Sequence, residues 1–367
     1  MRNSKATLLA TATVLALSMS APSLSLAEDK VYYKDGTTFE LGDMKLKMNI
    51  RLQERFEYTD NDGGEDTNSF SVRTARLEFK GSTLDKKLDF AVSNDFTKAE
   101  GLRDAFLQWN LAEDLGVKMG QYKTPHGRQF MNSSTKLQFV DRSAVSNFFT
   151  FDRRQGAGFV GKHEMGGYQV AVFNGNSTGE GINSAGVDSD LQGFIQADAS
   201  LIGTYDRSFE GDPVDTQEAA LGIGVSAHYG QGAKTAEDLA TDFDQYGVAG
   251  DIGFRSNGFS AQGEVFYDSF EPEGGDEQGN FGFYAQAGYF FVPKEWEVAG
   301  RFGMIDLDEC SSSYCEQMEY TAQVAHYING HNLKVQAGVT WISREFDDGL
   351  GEDTDTLKAQ LQVAAYL

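Results

Sequence analysis

The sequence predicts an all-β chain: a sixteen-stranded antiparallel β-barrel that crosses a membrane. Three observations lead there. The first is the run 44–58, MKLKMNIRLQERFEY, in which Met44, Leu46, Met48, Ile50, Leu52, Phe56 and Tyr58 alternate with Lys45, Lys47, Asn49, Arg51, Gln53, Arg55 and Glu57. A period of two puts successive side chains on opposite faces of a strand. Fifteen residues suit a tilted membrane-crossing strand better than an ordinary globular one. The second is recurrence, since such runs return until the last residue. The third is the start of the chain, which reads as a secretory signal, while no later stretch of eighteen apolar residues could form a spanning helix.

Residues 1–27 form the expected signal. Arg2 and Lys5 precede an apolar run from Thr7 to Met19, and Ser25-Leu26-Ala27 is a small-x-small site with cleavage expected after Ala27. The domain is then 28–367, 340 residues, and the formal charge moves from −24 to −26. That acidity argues against a nucleic-acid partner. The acidic residues gather in loop-like clusters at 60–66, 271–277 and 347–355.

In the first strand the odd positions are expected to face a water-filled lumen and make it basic through Lys45, Lys47, Arg51 and Arg55 against Glu57. A second strand is expected near 69–80, with Ala75, Leu77 and Phe79 outward and Thr74, Arg76, Glu78 and Lys80 inward. Others follow near 88–96, 102–111, 117–122, 157–164, 168–174 and 191–202. The later ones lie near 219–229, 245–255, 259–267, 281–291, 296–305, 318–328, 333–342 and 357–367. The strand at 219–229 has a small inward face of Ala220, Gly222, Gly224 and Ser226, which leaves room inside the barrel. The connections mostly alternate short and long, including long ones near 230–244 and 306–317. Short periplasmic turns and longer extracellular loops are the outer-membrane barrel arrangement. Two connections break that order: the one near 97–101 is short where a long one is due, and the one near 203–217 is long where a turn is due.

Cys310 and Cys315 flank a four-residue stretch in an exported chain, so a disulfide closing that loop is expected. It would stabilise by roughly 2 kcal/mol on the chain-entropy account. No cofactor and no metal site is expected. The five histidines, His126, His163, His228, His326 and His331, sit apart in sequence with no recognisable motif.

The segment 123–156, KTPHGRQFMNSSTKLQFVDRSAVSNFFTFDRRQG, is the longest connection and is basic in an acidic protein. Lys123, Arg128, Lys136, Arg142, Arg153 and Arg154 stand against Asp141 and Asp152. As the third extracellular loop of a sixteen-stranded pore it is expected to fold into the lumen, where low-dielectric walls strengthen its charges. The alternative is a surface loop whose arginines pair with nearby carboxylates.

Gly120-Gln121-Tyr122-Lys123-Thr124-Pro125, then Phe139-Val140-Asp141-Arg142-Ser143, then Arg153 with Gly156 and Gly158, resembles the phosphate-selective porin O and P family. So does Arg73-x-x-Arg76-Leu77-Glu78-Phe79-Lys80-Gly81, followed by Leu102-Arg103-Asp104-Ala105-Phe106 and Val172-Phe173-Asn174-Gly175. The resemblance implies a homotrimeric barrel in the outer membrane of a Gram-negative bacterium, among lipid and lipopolysaccharide, passing small anions such as phosphate by diffusion. It further implies that loop cations bind the anion, by position Lys123, Arg142 and Arg153.

Competing readings remain. A general or weakly cation-preferring porin would have its loop cations paired, and neutralising Lys123, Arg142 and Arg153 would leave selectivity unchanged. A barrel enzyme would need a nucleophile, base and orienting group clustered at one rim. A secreted soluble β protein such as a lectin would not require detergent for extraction.

Overall fold

The computed structural model describes residues 30–34, 36–62, 64–175, 190–236, 239–272, 274–311, 314–346 and 352–367. The expected signal at 1–27 lies outside them. Two short strands come first, β1 (Lys30–Tyr33) and β2 (Thr37–Leu41). Then come β3 (Met44–Asn61), β4 (Thr67–Thr83), β5 (Leu88–Asp95), β6 (Leu102–Ala112), β7 (Leu115–Lys123), β8 (Arg153–His163) and β9 (Gly166–Asn174). The rest are β10 (Leu191–Ile202), β11 (Ala220–Ala236), β12 (Leu239–Ser256), β13 (Phe259–Pro272), β14 (Gln278–Val292), β15 (Trp296–Ser311), β16 (Tyr314–Asn329), β17 (Leu333–Glu345) and β18 (Thr354–Tyr366).

From β3 onward each strand pairs antiparallel with the next, and β18 returns to pair with β3 through Tyr366↔Arg51 to Thr356↔Asn61. The barrel is therefore closed with sixteen strands, β3–β18, which removes the exposed edges that a lipid environment forbids. Below Arg51, where β18 ends, β2 takes its place beside β3 through Thr37↔Met48 to Leu41↔Met44. This hairpin adds to the expected set of strands. Its strands are too short for a periodic pattern to show.

Alternation explains the two faces. On β3, Asn49, Arg51, Gln53 and Arg55 are buried inside, while Ile50 and Leu52 are exposed outside. The outward Leu107, Trp109, Val225, Val248, Tyr289 and Phe291 are exposed likewise. Such an apolar exterior belongs against lipid.

The turns at the C-terminal end are short, such as 113–114, 164–165 and 257–258. Two of the expected long connections at the other end prove shorter. β11 and β12 run on to leave only 237–238 between them, and β15 and β16 leave only 312–313. The ladder continues where the sequence no longer alternates regularly between apolar and polar residues, and without that alternation the period-two signal vanishes. Cys315 is disulfide-bonded. The side chain of its expected partner, Cys310, is outside the described residues.

The interior is not uniform. The connection 124–152 holds two short helices, α1 (Arg128–Met131) and α2 (Ala144–Phe149). Val145 and Phe149 of α2 pack on the inward Phe266, Tyr284, Ile305 and Leu307 of β13–β15. Phe149 stacks on Phe266 with ring centroids 5.4 Å apart. The inward Gly282 makes room, because a Cβ there would lie 2.4 Å from the Phe149 ring.

The long connection after β10, 203–219, enters from the opposite end. Its Tyr205, Glu210 and Asp212 are buried. The small inward face of β11 receives this segment: a Cβ at Gly222 would meet the Tyr205 ring at 2.6 Å. Arg255 of β12 donates to the carbonyls of Asp206, Phe209 and Gly211. The two inserts then meet. Glu210 accepts from the Gln138 backbone N–H at 2.9 Å, and its own N–H donates to the Lys136 carbonyl at 2.9 Å.

Candidate functional site

The two inserts lean against β11–β17 and leave a cavity of about 640 Å³ along the inner faces of β3–β7. Its wall is strongly charged. Arg51, Arg55, Arg73, Arg76, Lys80 and Arg103 line it from the barrel, and Lys98, Lys123, Arg142 and Arg153 from the strand ends and connections. Only five carboxylates face them: Glu78, Asp95, Asp104, Asp141 and Asp152.

Each carboxylate is held by an arginine. Arg51 meets Glu78 at 2.6 Å and Arg76 meets Asp95 at 3.0 Å. Arg153 meets Asp104 at 2.9 Å and Arg103 meets Asp152 at 2.8 Å. Arg55 grips both oxygens of Asp141 at 2.8 and 2.9 Å, tying the inserted segment to β3. Such two-pronged pairs are the strong, geometrically fixed kind.

The excess is therefore positive. Among the described residues, Arg73, Lys98, Lys123 and Arg142 line the cavity with no carboxylate within 4 Å. Lys123 and Arg142 are held instead by carbonyl oxygens at the end of α1. Lys123 Nζ donates to those of Phe130, Met131 and Asn132 at 2.7, 3.0 and 2.7 Å. Arg142 donates to Gln129 O at 3.1 Å and Asn132 O at 2.7 Å. Carbonyl dipoles orient a basic side chain without supplying an opposing unit charge, so both side chains are fixed in place.

Burial lowers the Arg142 guanidinium to about 10, with Glu210 and Asp152 pulling upward and Arg153 and Arg51 downward, so it stays charged at neutral pH. Burial alone would raise the Asp141 carboxyl. The Arg55 charge and hydrogen bonds from Arg55 and Gln360 outweigh it and hold Asp141 below its ordinary range.

Arg73 reaches the cavity through an irregularity. Gln53 pairs with Thr74 but Glu54 pairs with Val72, which leaves Arg73 as the extra residue of a bulge in β4. A bulge re-aims a side chain that strict alternation would send outward. Counting by twos from Thr74 therefore misses Arg73. The break is not visible in the sequence, because nothing in SVRTARLEF marks where a residue is added.

The sequence-predicted residues divide accordingly. Arg51, Arg55, Lys123, Arg142 and Arg153 line the cavity together. Lys47 lies opposite Lys80 on the β3–β4 ladder, outside the lining. Arg128 and Arg154 are buried elsewhere. Arg128 Nη2 donates to the Tyr205 hydroxyl at 2.5 Å, inside the junction of the two inserts. Arg154 donates to Gln192 and lies 4.6 Å over the Phe151 ring. Each is used for packing because its strand or helix face turns it toward β9–β12.

The model of the family described as phosphate-selective porin O and P matches residues 45–364. An uncharacterized protein of Aquifex aeolicus (strain VF5) is 25% identical over 381 residues, covering 88% of this chain and 87% of its own length. Among solved structures, an anion-selective porin from Comamonas acidovorans is similar at 12% identity and a TM-score of 0.58, over 88% of this chain and 99% of its own. The trimer form of in-vitro folded OmpT of Vibrio cholerae is similar at 9% identity and a TM-score of 0.56, over 88% and 99%.

Proposed function

Since the chain belongs to the phosphate-selective porin O and P family and is an outer-membrane porin, we propose that the cavity beside β3–β7 is the narrow part of a pore for small anions such as phosphate. The observation that carries this is the pair Lys123 and Arg142. Both basic side chains are fixed on carbonyls and left without a carboxylate, and the Arg142 guanidinium is charged. An oxyanion entering there exchanges water for the Arg142 Nη1 donors, which the carbonyls leave free, beside a Lys123 whose N–H groups stay on the Phe130, Met131 and Asn132 carbonyls. Arg73 and the paired arginines of β3 and β4 continue the positive wall, so an anion finds successive weak sites rather than one deep trap. The inserted segment narrows the lumen by filling its β13–β15 side. Diffusion through such a pore needs no reacting group, and the protein acts as a passive channel.

The trimer form of a structural neighbour supports a homotrimer here. The apolar exterior supports lipid and lipopolysaccharide as its surroundings.

The test is the reversal potential of the purified, refolded protein in a planar bilayer under a KCl gradient. An anion-selective sign with phosphate blocking the chloride current is expected. A cation-selective sign would overturn the reading in favour of a general porin governed by the acidic loops.

A further inference from the structure

We propose that His126, His228 and Asp268 form a binding site for a divalent transition-metal ion of the zinc type, which ties the start of the inserted segment to the barrel wall. One ring nitrogen from each histidine and one oxygen of Asp268 lie within 4.8 Å of one another. His228 Nε2 and Asp268 Oδ1 are 3.2 Å apart. Two ligands on a tetrahedral ion at about 2.1 Å are themselves roughly 3.4 Å apart, so this pair already has ligand spacing.

The barrel register creates the pair. His228 of β11 lies opposite Gly247 of β12, which lies opposite Asp268 of β13. A Cβ at Gly247 would sit 1.9 Å from Asp268 Oδ1 and 2.3 Å from His228 Nε2. Glycine in the middle strand therefore lets the outer two side chains meet across it. His126 comes from the third direction, three residues past the end of β7, and its ring lies edge-on to His228 with centroids 4.9 Å apart.

The second observation is an orphaned atom. His126 is 0% exposed. Its Nδ1 is 3.1 Å from Ser226 Oγ, while its Nε2 has no hydrogen-bond partner among the described residues. Buried polar atoms are rarely left so, and the imbalance asks for a partner. A metal ion accepts the Nε2 lone pair while Nδ1–H donates to the serine, the usual outer support of a ligating imidazole.

Two imidazoles and one carboxylate suit zinc, cobalt, nickel or copper better than calcium or magnesium, which prefer oxygen sets. Three protein ligands leave a fourth position for water. Binding through His228 Nε2 places that ring's proton on Nδ1, which faces Gln192 Nε2 at 3.0 Å. The Gln192 amide must then turn its oxygen to the ring, giving up the bond from Arg154. Gln192→Glu removes this conflict, because a carboxylate accepts from both.

The test uses the full-length protein in detergent, stripped with a chelator and dialysed against zinc. Metal per chain is measured by mass spectrometry, and cobalt serves as a spectroscopic probe. The expected result is one zinc more per chain than in the double variant His126→Ala, Asp268→Asn, with a tetrahedral cobalt absorption that the double variant lacks. Heat-dependent gel migration establishes that the variant barrel has folded. Gln192→Glu, which keeps all three ligands, is expected to bind zinc about tenfold more tightly. Equal zinc in wild type and double variant would overturn the site. So would a Gln192→Glu protein that binds no better while cobalt keeps the spectrum of its aquo ion.

Discussion

Lys123 Nζ and Arg142 Nη2 both donate to the carbonyl oxygen of Asn132, each at 2.7 Å. Two basic side chains, one from a strand end and one from an insert, are thereby fixed on one oxygen, with the Arg142 guanidinium charged. Near a surface, a unit charge about 5 Å from a second is worth roughly 3 kcal/mol at an effective dielectric of about 20, before desolvation takes its share. Replacing both with glutamine is therefore expected to weaken phosphate block of the chloride current about tenfold or more, and to move the reversal potential toward cations. Current block in planar bilayers reads the first and a KCl gradient the second. Unchanged block would place the anion site elsewhere along the wall.

The Arg55–Asp141 pair ties the insert to β3, and it predicts a flat pH response. The folded-state Asp141 carboxyl lies below its unfolded value, so its stabilising contribution is present above the unfolded value and is lost as pH falls through the folded one. Single-channel conductance and its noise are expected to be the same at pH 7 and pH 5. Flickering should appear only below the ordinary carboxylate range. Asp141→Asn, which abolishes the ionised pair, is expected to flicker at pH 7. Steady current from that variant would mean the apolar packing of Val145 and Phe149 holds the insert without help.

Arg255 predicts the behaviour of the second insert. Its guanidinium donates to the carbonyls of Asp206, Phe209 and Gly211 and stacks 3.9 Å over the Phe209 ring. Charged hydrogen bonds contribute about 1.5–3 kcal/mol each, so Arg255→Ala should loosen 203–219 by several kcal/mol. Faster proteolysis within that segment and a larger single-channel conductance are expected. Proteolysis at the wild-type rate would show that Glu210 and its partners suffice.

The barrel was legible in the sequence because lipid outside and water inside impose a period of two on every crossing strand. The ends of strands were less so, since beyond the membrane nothing imposes an apolar face and the alternation stops, as in the sequence at 230–244. The inserts were legible only in part. The charge of 123–156 marks it as unusual, but whether Arg128 lines a pore or packs on Tyr205 depends on which way a four-residue helix turns. The tie between Glu210 and Gln138 joins residues 72 positions apart, and no local pattern encodes it. The meeting of His228 with Asp268 over Gly247 is likewise a matter of register across three strands.

Arg73 and Arg103 allow local net charge to be separated from the mere number of cations. Arg73 lies at the β4 bulge and lines the cavity with no ion pair among the described residues. Arg103 is matched by Asp152 at 2.8 Å. Neutralising Arg73 removes a charge that nothing offsets. Neutralising Arg103 together with Asp152 removes one of each sign and leaves the field at a distance nearly as it was, because an opposed pair is screened within a few ångströms. Arg73→Gln is therefore expected to lower the anion-to-cation permeability ratio about two- to fivefold, a change worth roughly 0.4–1 kcal/mol. The double variant Arg103→Gln, Asp152→Asn should leave that ratio unchanged. Reversal potentials of both proteins under one KCl gradient make the comparison. A larger shift in the double variant would mean that paired guanidinium groups bind the passing anion by direct hydrogen bonds, and that the wall selects by contact more than by field.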